Sequence, residues 1–367
     1  MRRVLHYKTN YLNRSETFIQ RLVNNHVKYT PAALCYHSKA FTEHIDVKEV
    51  PRTGISRIIN STAFHLNLPL PFYYQAIKKL NPSIIHAHFG FDAVKMIWFA
   101  SHFRIPLVIS FYGSDVSRLP SEFGWKRRYK KLAAAGSHFI AATQFMKKQL
   151  IDLGFPVDKI SVVRFGVDLE SSPFLERNQT NHKLMMVGRM VEKKGFKYAI
   201  QAVHKLRMEN IDVNLHLYGN GPLMPELKNL TKSLELNGAV TFRGYQPIEN
   251  VLEAYKDYAI MLAPSVAAKD GDMEGLPNTI LEAMARGTPV VASRHAAIPE
   301  VVEDAETGFL VDEADSDALA NTLKNIFQNK YDLEQIRKRA RKRVEEDYSV
   351  TRMVSEVEHI YDELIDR

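Results

Sequence analysis

Along the 367 residues, short apolar segments rich in β-branched side chains alternate with longer segments whose apolar positions recur at i, i+3 and i+4. That alternation predicts strand–helix units around a parallel sheet, an α/β fold. In the first half the pattern predicts strands at Val4–Tyr7, Ala32–His37, Ile84–Phe89, Pro106–Gly113, His138–Thr143 and Ile160–Gly166. The second half predicts strands at Lys183–Gly188, Val213–Gly219, Ala239–Tyr245, Ala259–Ser265 and Pro289–Ser293. Phe196–Glu209 and Ile248–Tyr258 carry the helical spacing of layers that cover a sheet. Between the halves, Asp168–His182 is polar and follows neither period, which predicts a linker. No tandem repeat or low-complexity tract interrupts the pattern.

The length predicts two or three domains, divided as 1–170 and 171–349, with a last helix from about residue 350 returning to the first. Glycine-rich or polar clusters directly follow the predicted strands: "HAHFG", "YGSD", "GRMVEKKG", "YGNGP" and "DGDMEGLPNTILEAMARG". Open parallel sheets bind ligands at the carboxyl ends of their strands. Two Rossmann-like sheets facing each other would place all these clusters on the walls of one interdomain cleft.

The last cluster has its own grammar. Pro277 suits a first helical turn and Gly287 with Pro289 suits a stop, so a helix is expected over 277–286. Glu274 then lies just before the helix and Glu282 within it, with the amides around Leu276, Asn278 and Thr279 between them. Free amides and a partial positive charge make a helix start a seat for phosphate. Two acids around an anion site suit a ligand with phosphate in the middle and hydroxyls at both ends, as in a sugar nucleotide; a solvated amphipathic helix fits the same residues. Arg189 and Lys194, on a strand-to-helix turn, could grip a diphosphate. Neither a Walker loop nor a complete dinucleotide fingerprint is present.

Composition narrows the classes. Apolar residues make up 45% and charged residues 25%, ordinary for a folded protein. The single cysteine, Cys35, excludes an internal disulfide and a cysteine-based zinc site. No apolar run approaches the roughly 18 residues of a spanning helix, so the expected location is cytoplasmic, at most peripheral on the cytoplasmic face of a membrane. The net charge of +7 is uneven: residues 1–170 hold 24 Lys and Arg against 11 acids, the remainder 25 against 31. The basic first half also carries Phe64–Leu80 and Trp125–Lys131, rich in aromatic and basic residues, which suits an anionic membrane surface or a charged lipid-linked substrate. No zinc-finger, ribonucleoprotein or basic-zipper signature supports a nucleic-acid partner.

Gly188-Arg189 with Lys194, Gly219-x-Gly221-Pro222 and Glu274-x7-Glu282, in this order, resemble the retaining glycosyltransferases of family 4, which have the GT-B fold. "SETFIQRLV", "HAHFG" and "DGDMEGLPNTILEAMARG" further resemble the subgroup that builds bacterial exopolysaccharide and capsule, of colanic-acid type. The resemblance implies transfer of a sugar from a nucleotide diphosphate, such as a UDP-sugar, to a glycan or lipid-linked acceptor, without a metal or other cofactor. It implies that Glu282 meets the ribose and Glu274 the transferred sugar, that the amides of Gly275, Leu276 and Asn278 approach the phosphates, and that Arg189 and Lys194 neutralise the leaving diphosphate. Gly188, Gly219, Gly221 and Thr279 would line the donor site, and Arg243 with Gly244 would flank the nucleobase.

The first half departs from that pattern. Where many members have a histidine near the reacting sugar, this chain has Tyr112, followed by Gly113 and Asp115, so His88 becomes the replacement candidate. The family's early Gly-Gly loop is replaced by "TNYLNRSETF", in which Ser15 is an expected N-cap with Glu16 in the first turn near the donor diphosphate. Two other classes fit parts of the pattern: a sugar-nucleotide epimerase of the same architecture, whose acidic and histidine motifs do not match, and a nucleotide-sugar-binding protein without turnover, motivated by Tyr112.

Overall fold

The computed structural model describes residues 1–11, 16–38, 45–51, 53–66, 68–175 and 181–366. The chain divides into two compact units, Met1–Gly166 with Val350–Arg367, and Val167–Ser349. Each is built on a parallel sheet, because its central strands are apolar on both faces and must be covered by helices on both.

In the first unit the strands are β1 (Arg2–Tyr7), β2 (Tyr29–Cys35), β3 (Asp46–Glu49), β4 (Ile84–His88), β5 (Leu107–Phe111), β6 (His138–Ala141) and β7 (Ile160–Val162). They are ordered β3-β2-β1-β4-β5-β6-β7. Every residue of β4 and β5 is buried. The pairing register sets His6 beside His86, and His88 beside Ser110. Because strand side chains alternate between faces, Val4, His6, Ile84, His86, His88, Val108 and Ser110 share one face. Its apolar members pack with Val350, Met353, Val354, Val357, Ile360 and Tyr361 of the last helix, Val350–Ile365.

The second unit has β8 (Lys183–Val187), β9 (Asn214–Tyr218), β10 (Val240–Gly244), β11 (Ile260–Ala263), β12 (Val290–Ser293) and β13 (Phe309–Val311), ordered β10-β9-β8-β11-β12-β13. In both sheets the order reverses beside the first strand, between β1 and β4 and between β8 and β11. That reversal opens a crevice at the carboxyl ends, where ligands bind in such sheets.

The differences from the sequence pattern have local causes. β3, "DVKE", pairs on one side only and carries no apolar run, so its pattern does not read as a strand. The expected linker is in part a strap: Leu175 N donates to Arg286 O at 3.2 Å, Arg286 Nη2 to Ser171 O at 2.5 Å and Arg341 Nη1 to Ser172 O at 2.5 Å. Residues 176–180 of it lie outside the described set.

Candidate functional site

The second unit gathers its functional candidates at the β8/β11 crevice. The turn after β8 tightens into a 3-10 segment, Glu192–Lys194, and Gly195 at φ +71° opens the helix Phe196–Met208. Lys194 Nζ donates to Glu274 Oε2 at 2.8 Å, and Lys193 Nζ reaches Glu274 Oε1 at 3.3 Å and Asp272 Oδ1 at 3.1 Å. Glu274 is only 8% exposed. Burial pushes its carboxyl upward, but the ammonium groups of Lys194 and Lys193 outweigh this and hold it at about 2. The pair expected to contact different parts of a ligand is thus mutually neutralised. Its backbone is fixed from behind, because Glu274 N donates to His295 Nε2 at 3.1 Å and His295 Nδ1 then donates to Glu313 Oε1 at 2.7 Å.

The helix after Glu274 runs Asn278–Ala285, with Pro277 at the N-cap, extended and outside the first turn where it was expected. Ile280 N returns to Pro277 O at 3.0 Å, whereas the amides of Gly275, Leu276, Asn278 and Thr279 meet no protein acceptor among the described residues. Lys194, Pro277 and Thr279 line one cavity with Val187, Ala263 and Ser265. Open amides and an ammonium around one hollow could seat an anion. Glu282, on the same helix, is 2% exposed, and its charge acts on Tyr255 and Arg286. Arg189 is exposed, with no side-chain partner among the described residues. Arg243 is exposed too, its Nη2 3.3 Å from His216 Nδ1.

The glycines serve the backbone. A Cβ on Gly219, at φ +122°, would stand 1.9 Å from Gly188 O, and one on Gly221 would stand 2.4 Å from Met190 O. These loops are laced together by Gly188 N to Tyr218 O (3.0 Å), Met190 N to Asn220 O (2.9 Å) and Gly219 N to Gly244 O (2.7 Å). Gly219→Ala is expected to destabilise the second unit by about 3 kcal/mol through this clash and the strained φ; urea denaturation should show a lower midpoint at unchanged m-value.

In the first unit, Lys8 follows β1 at the β1/β4 crevice, with Nζ 3.3 Å from Glu16 Oε1 and 3.7 Å from Asp92 Oδ2. Glu16 is the N-cap residue of helix Thr17–Asn24; Ser15 lies outside the described residues. Asp115 corrects an expectation: its carboxylate is fully buried and accepts from Tyr112 N at 3.1 Å, Gly113 N at 2.9 Å and Gly90 N at 3.1 Å, which ties two strand-end loops together. It clamps the loop that carries Tyr112 and is not presented to a ligand. His88 is fully buried, with its Nδ1 2.7 Å from the Tyr112 hydroxyl.

His6, His86 and His88 bring possible ligand atoms within 4.8 Å of one another. Their nitrogens are already engaged. His86 Nδ1 lies 2.5 Å from the Tyr361 hydroxyl and Nε2 2.7 Å from Ser110 Oγ, while His6 Nδ1 and His88 Nε2 meet at 3.0 Å. A cation would have to break these bonds. Sequence reading missed His6, His26, Lys193, His295 and Glu358; the i, i+2 spacing of His86 and His88 was the available signal, since it puts both on one strand face.

The model for glycosyl transferases group 1 matches residues 168–343, and that for glycosyltransferase family 4 matches 16–171. The chain belongs to the family 4 glycosyltransferases. It is 33% identical over 244 residues to the amylovoran biosynthesis glycosyltransferase AmsK of Erwinia amylovora, covering 66% of this chain and 60% of that protein. The putative colanic acid biosynthesis glycosyltransferase WcaL of Escherichia coli K12 is 35% identical over 242 residues, covering 65% and 60%. The matched part therefore spans about three fifths of these relatives. Anabaena Alr3699/HepE, crystallised with UDP, superposes with TM-score 0.80 at 18% identity over 99% of this chain and all of that one. Sucrose-phosphate synthase of Thermosynechococcus elongatus does so at 0.79 and 17% over the whole of both chains. These likenesses establish the GT-B fold.

Proposed function

We propose that this family 4 glycosyltransferase moves a sugar from a nucleotide-diphosphate donor to a glycan or lipid-linked acceptor in cell-surface polysaccharide synthesis, with retention at the anomeric carbon. The observation that carries the reading is the Lys194–Glu274 pair at the open start of the helix Asn278–Ala285. Diphosphate oxygens would take up the four open amides and draw on Lys194 and Arg189, and the sugar hydroxyls would take over Glu274. The negative charge that develops on the leaving diphosphate would then be met by Lys194, held beside Glu274, and by the exposed Arg189, with no metal assigned to the step. UDP in the HepE crystals and the polysaccharide names of AmsK and WcaL support a UDP-sugar and an exopolysaccharide or capsule product. Incubation with a panel of UDP-, GDP- and ADP-sugars tests it: one donor should both raise the melting temperature and be slowly hydrolysed, and no response to any donor refutes the assignment. Glu282→Ala should weaken nucleotide binding about tenfold or more in calorimetry, the loss of a charge-assisted hydrogen bond to a ribose hydroxyl; unchanged affinity removes Glu282 from the ribose.

The acceptor side is read as a peripheral contact with an anionic membrane. Among the described residues no helix is long and apolar enough to cross one. The helix Gly54–His65 exposes Ile55, Ile58 and Ile59, with Leu66 and Leu68 just beyond, in the basic half of the sequence. Exposed apolar side chains on a helix of a basic half suit the interface of an anionic bilayer. Sedimentation with phosphatidylglycerol vesicles but not with phosphatidylcholine vesicles is expected, and Ile55→Glu with Ile58→Glu should abolish it; equal behaviour on both lipids counts against the contact.

A further inference from the structure

The two layers that cover the sheet of the first unit carry opposite charge. On the face of Val4 and Val108 lies the last helix, Val350–Ile365, which holds Glu356, Glu358, Asp362 and Glu363 against Arg352. Strand alternation turns Tyr7 and Phe111 to the other face. There Tyr7 meets Tyr73 and Phe111 meets Tyr129, with ring centroids 5.5 and 6.2 Å apart. The helices Pro71–Leu80, Ile97–Phe103 and Trp125–Ala135 cover this face, and Gly54–His65 packs on the first of them, where Phe72 N donates to Asn60 Oδ1 at 3.1 Å. These four helices hold Arg57, Lys78, Lys79 and five cations of Trp125–Ala135, and no Asp or Glu.

Trp125–Ala135 places its charge against its own stability. It buries Tyr129 and Leu132, so Arg127, Lys130, Lys131 and Ala134, spaced i, i+3, i+4 and i+7, form an exposed stripe on the opposite side. Lys126, Arg127 and Arg128 stand in the first turn, where the positive end of the helix dipole disfavours them, and the last turn, where cations would stabilise, has none. Lys126 with Lys130 and Arg127 with Lys131 are like charges at i, i+4, and each pair opposes the helix. Arg128 lies over the Trp125 ring at 4.7 Å, and among the described residues no acid is paired with any of the five cations. Charges that break several local rules in one direction are placed for negative charge outside the chain. Phe123, two residues before the helix, is fully exposed. A soluble polyanion offers a phenyl ring nothing, whereas an anionic leaflet offers phosphate to the cations and acyl chain to the ring.

We propose that Phe123 and the helix Trp125–Ala135 are a headgroup clamp for anionic phospholipid, with the five cations at the phosphates and Phe123 inserted beneath them. The inference rests on the membrane contact proposed above and adds a second attachment point to the isoleucines of Gly54–His65. Both points belong to one helical layer, so the first engaged raises the effective concentration of the second. The acidic last helix, on the other side of the sheet, is then turned away from the bilayer.

The two tryptophans of the chain, Trp98 and Trp125, both lie in this layer, so their fluorescence reports the contact. On vesicles of phosphatidylglycerol in phosphatidylcholine, acyl-brominated lipid should quench the emission, and binding should rise with the phosphatidylglycerol fraction. Lys126→Gln, Arg127→Gln, Lys130→Gln and Lys131→Gln together should lower partitioning about 10²-fold or more and flatten that rise, at roughly fivefold per cation. Phe123→Ala should lower it about tenfold at every lipid composition, the loss of one inserted aromatic side chain. Neither change should lower the urea midpoint, since both sites are exposed and the glutamines remove like-charge pairs. A wild type that binds no vesicle overturns the membrane reading and the clamp with it. Binding that Ile55→Glu with Ile58→Glu abolishes, but that the glutamine variant and Phe123→Ala leave at wild-type strength, removes the clamp alone. Heparin binding lost in the glutamine variant, with vesicle binding indifferent to Phe123→Ala, would assign the helix to a soluble polyanion and also overturn the clamp.

Discussion

Arg189→Ala is expected to lower turnover about 10²-fold or more while leaving the unfolding midpoint where it is. The first half follows from losing a donor aimed at charge that develops on the departing diphosphate. The second follows from the exposure of Arg189 and its lack of side-chain partners among the described residues, since surface substitutions away from such features change stability little. Lys194→Ala should match it in rate but not in stability. Lys194 is the nearer of two ammonium partners of a carboxylate that is 8% exposed, and the change leaves Lys193 at 3.3 Å as the remaining one. Removing one partner of a buried pair leaves a poorly compensated charge. Side by side, kinetics and urea denaturation should therefore separate the two variants: equal losses of rate, unequal losses of midpoint. Near-normal rates in both would take these cations away from the diphosphate.

The first unit should weaken in mild acid. Burial holds His86 at about 3, against about 6.5 in an unfolded chain, and His6, His88 and His26 are shifted the same way. Above pH 6.5 neither state binds these protons, and the stability associated with neutral rings is fully present. Below it the unfolded chain takes up protons that the folded chain refuses, so stability falls by about 1.4 kcal/mol per pH unit for each such histidine until its folded value is reached. At pH 5 His86 alone then costs about 2 kcal/mol. Glu274 acts in a different window: its folded value near 2 contributes stability that is lost only below the ordinary carboxylate range. Urea midpoints between pH 7.5 and 5 should fall steeply, and less steeply in His86→Gln. A flat profile would mean that these rings take up protons in the folded protein as readily as in the unfolded chain.

Much of this was legible from local chemistry. Strands buried on both faces are apolar over most of their length, so β4, β5, β8, β11 and β12 stand out; β3, paired on one side, does not. Helix grammar placed the start of a helix near Asn278 because Pro277 and Gly287 constrain a few neighbouring residues. Asp115 was misjudged because a carboxylate after a strand reads alike whether it faces a ligand or three amides.

The sequence by itself determined the α/β class, the positions of the strand-end loops and the helix start that follows Glu274, since these depend on periodicity and on neighbours within a few residues. Only the tertiary structure decided that Glu274 is paired with Lys194, eighty residues away, and that Gly219 is excluded from bearing a Cβ by Gly188. It also decided that His6, His26, His88 and Glu358 meet in one hydrogen-bonded line, across 332 residues from His26 to Glu358. Such pairings depend on strand order and register, which bring distant residues together at hydrogen-bonding distance, and no local pattern in a single chain encodes which strands will be neighbours.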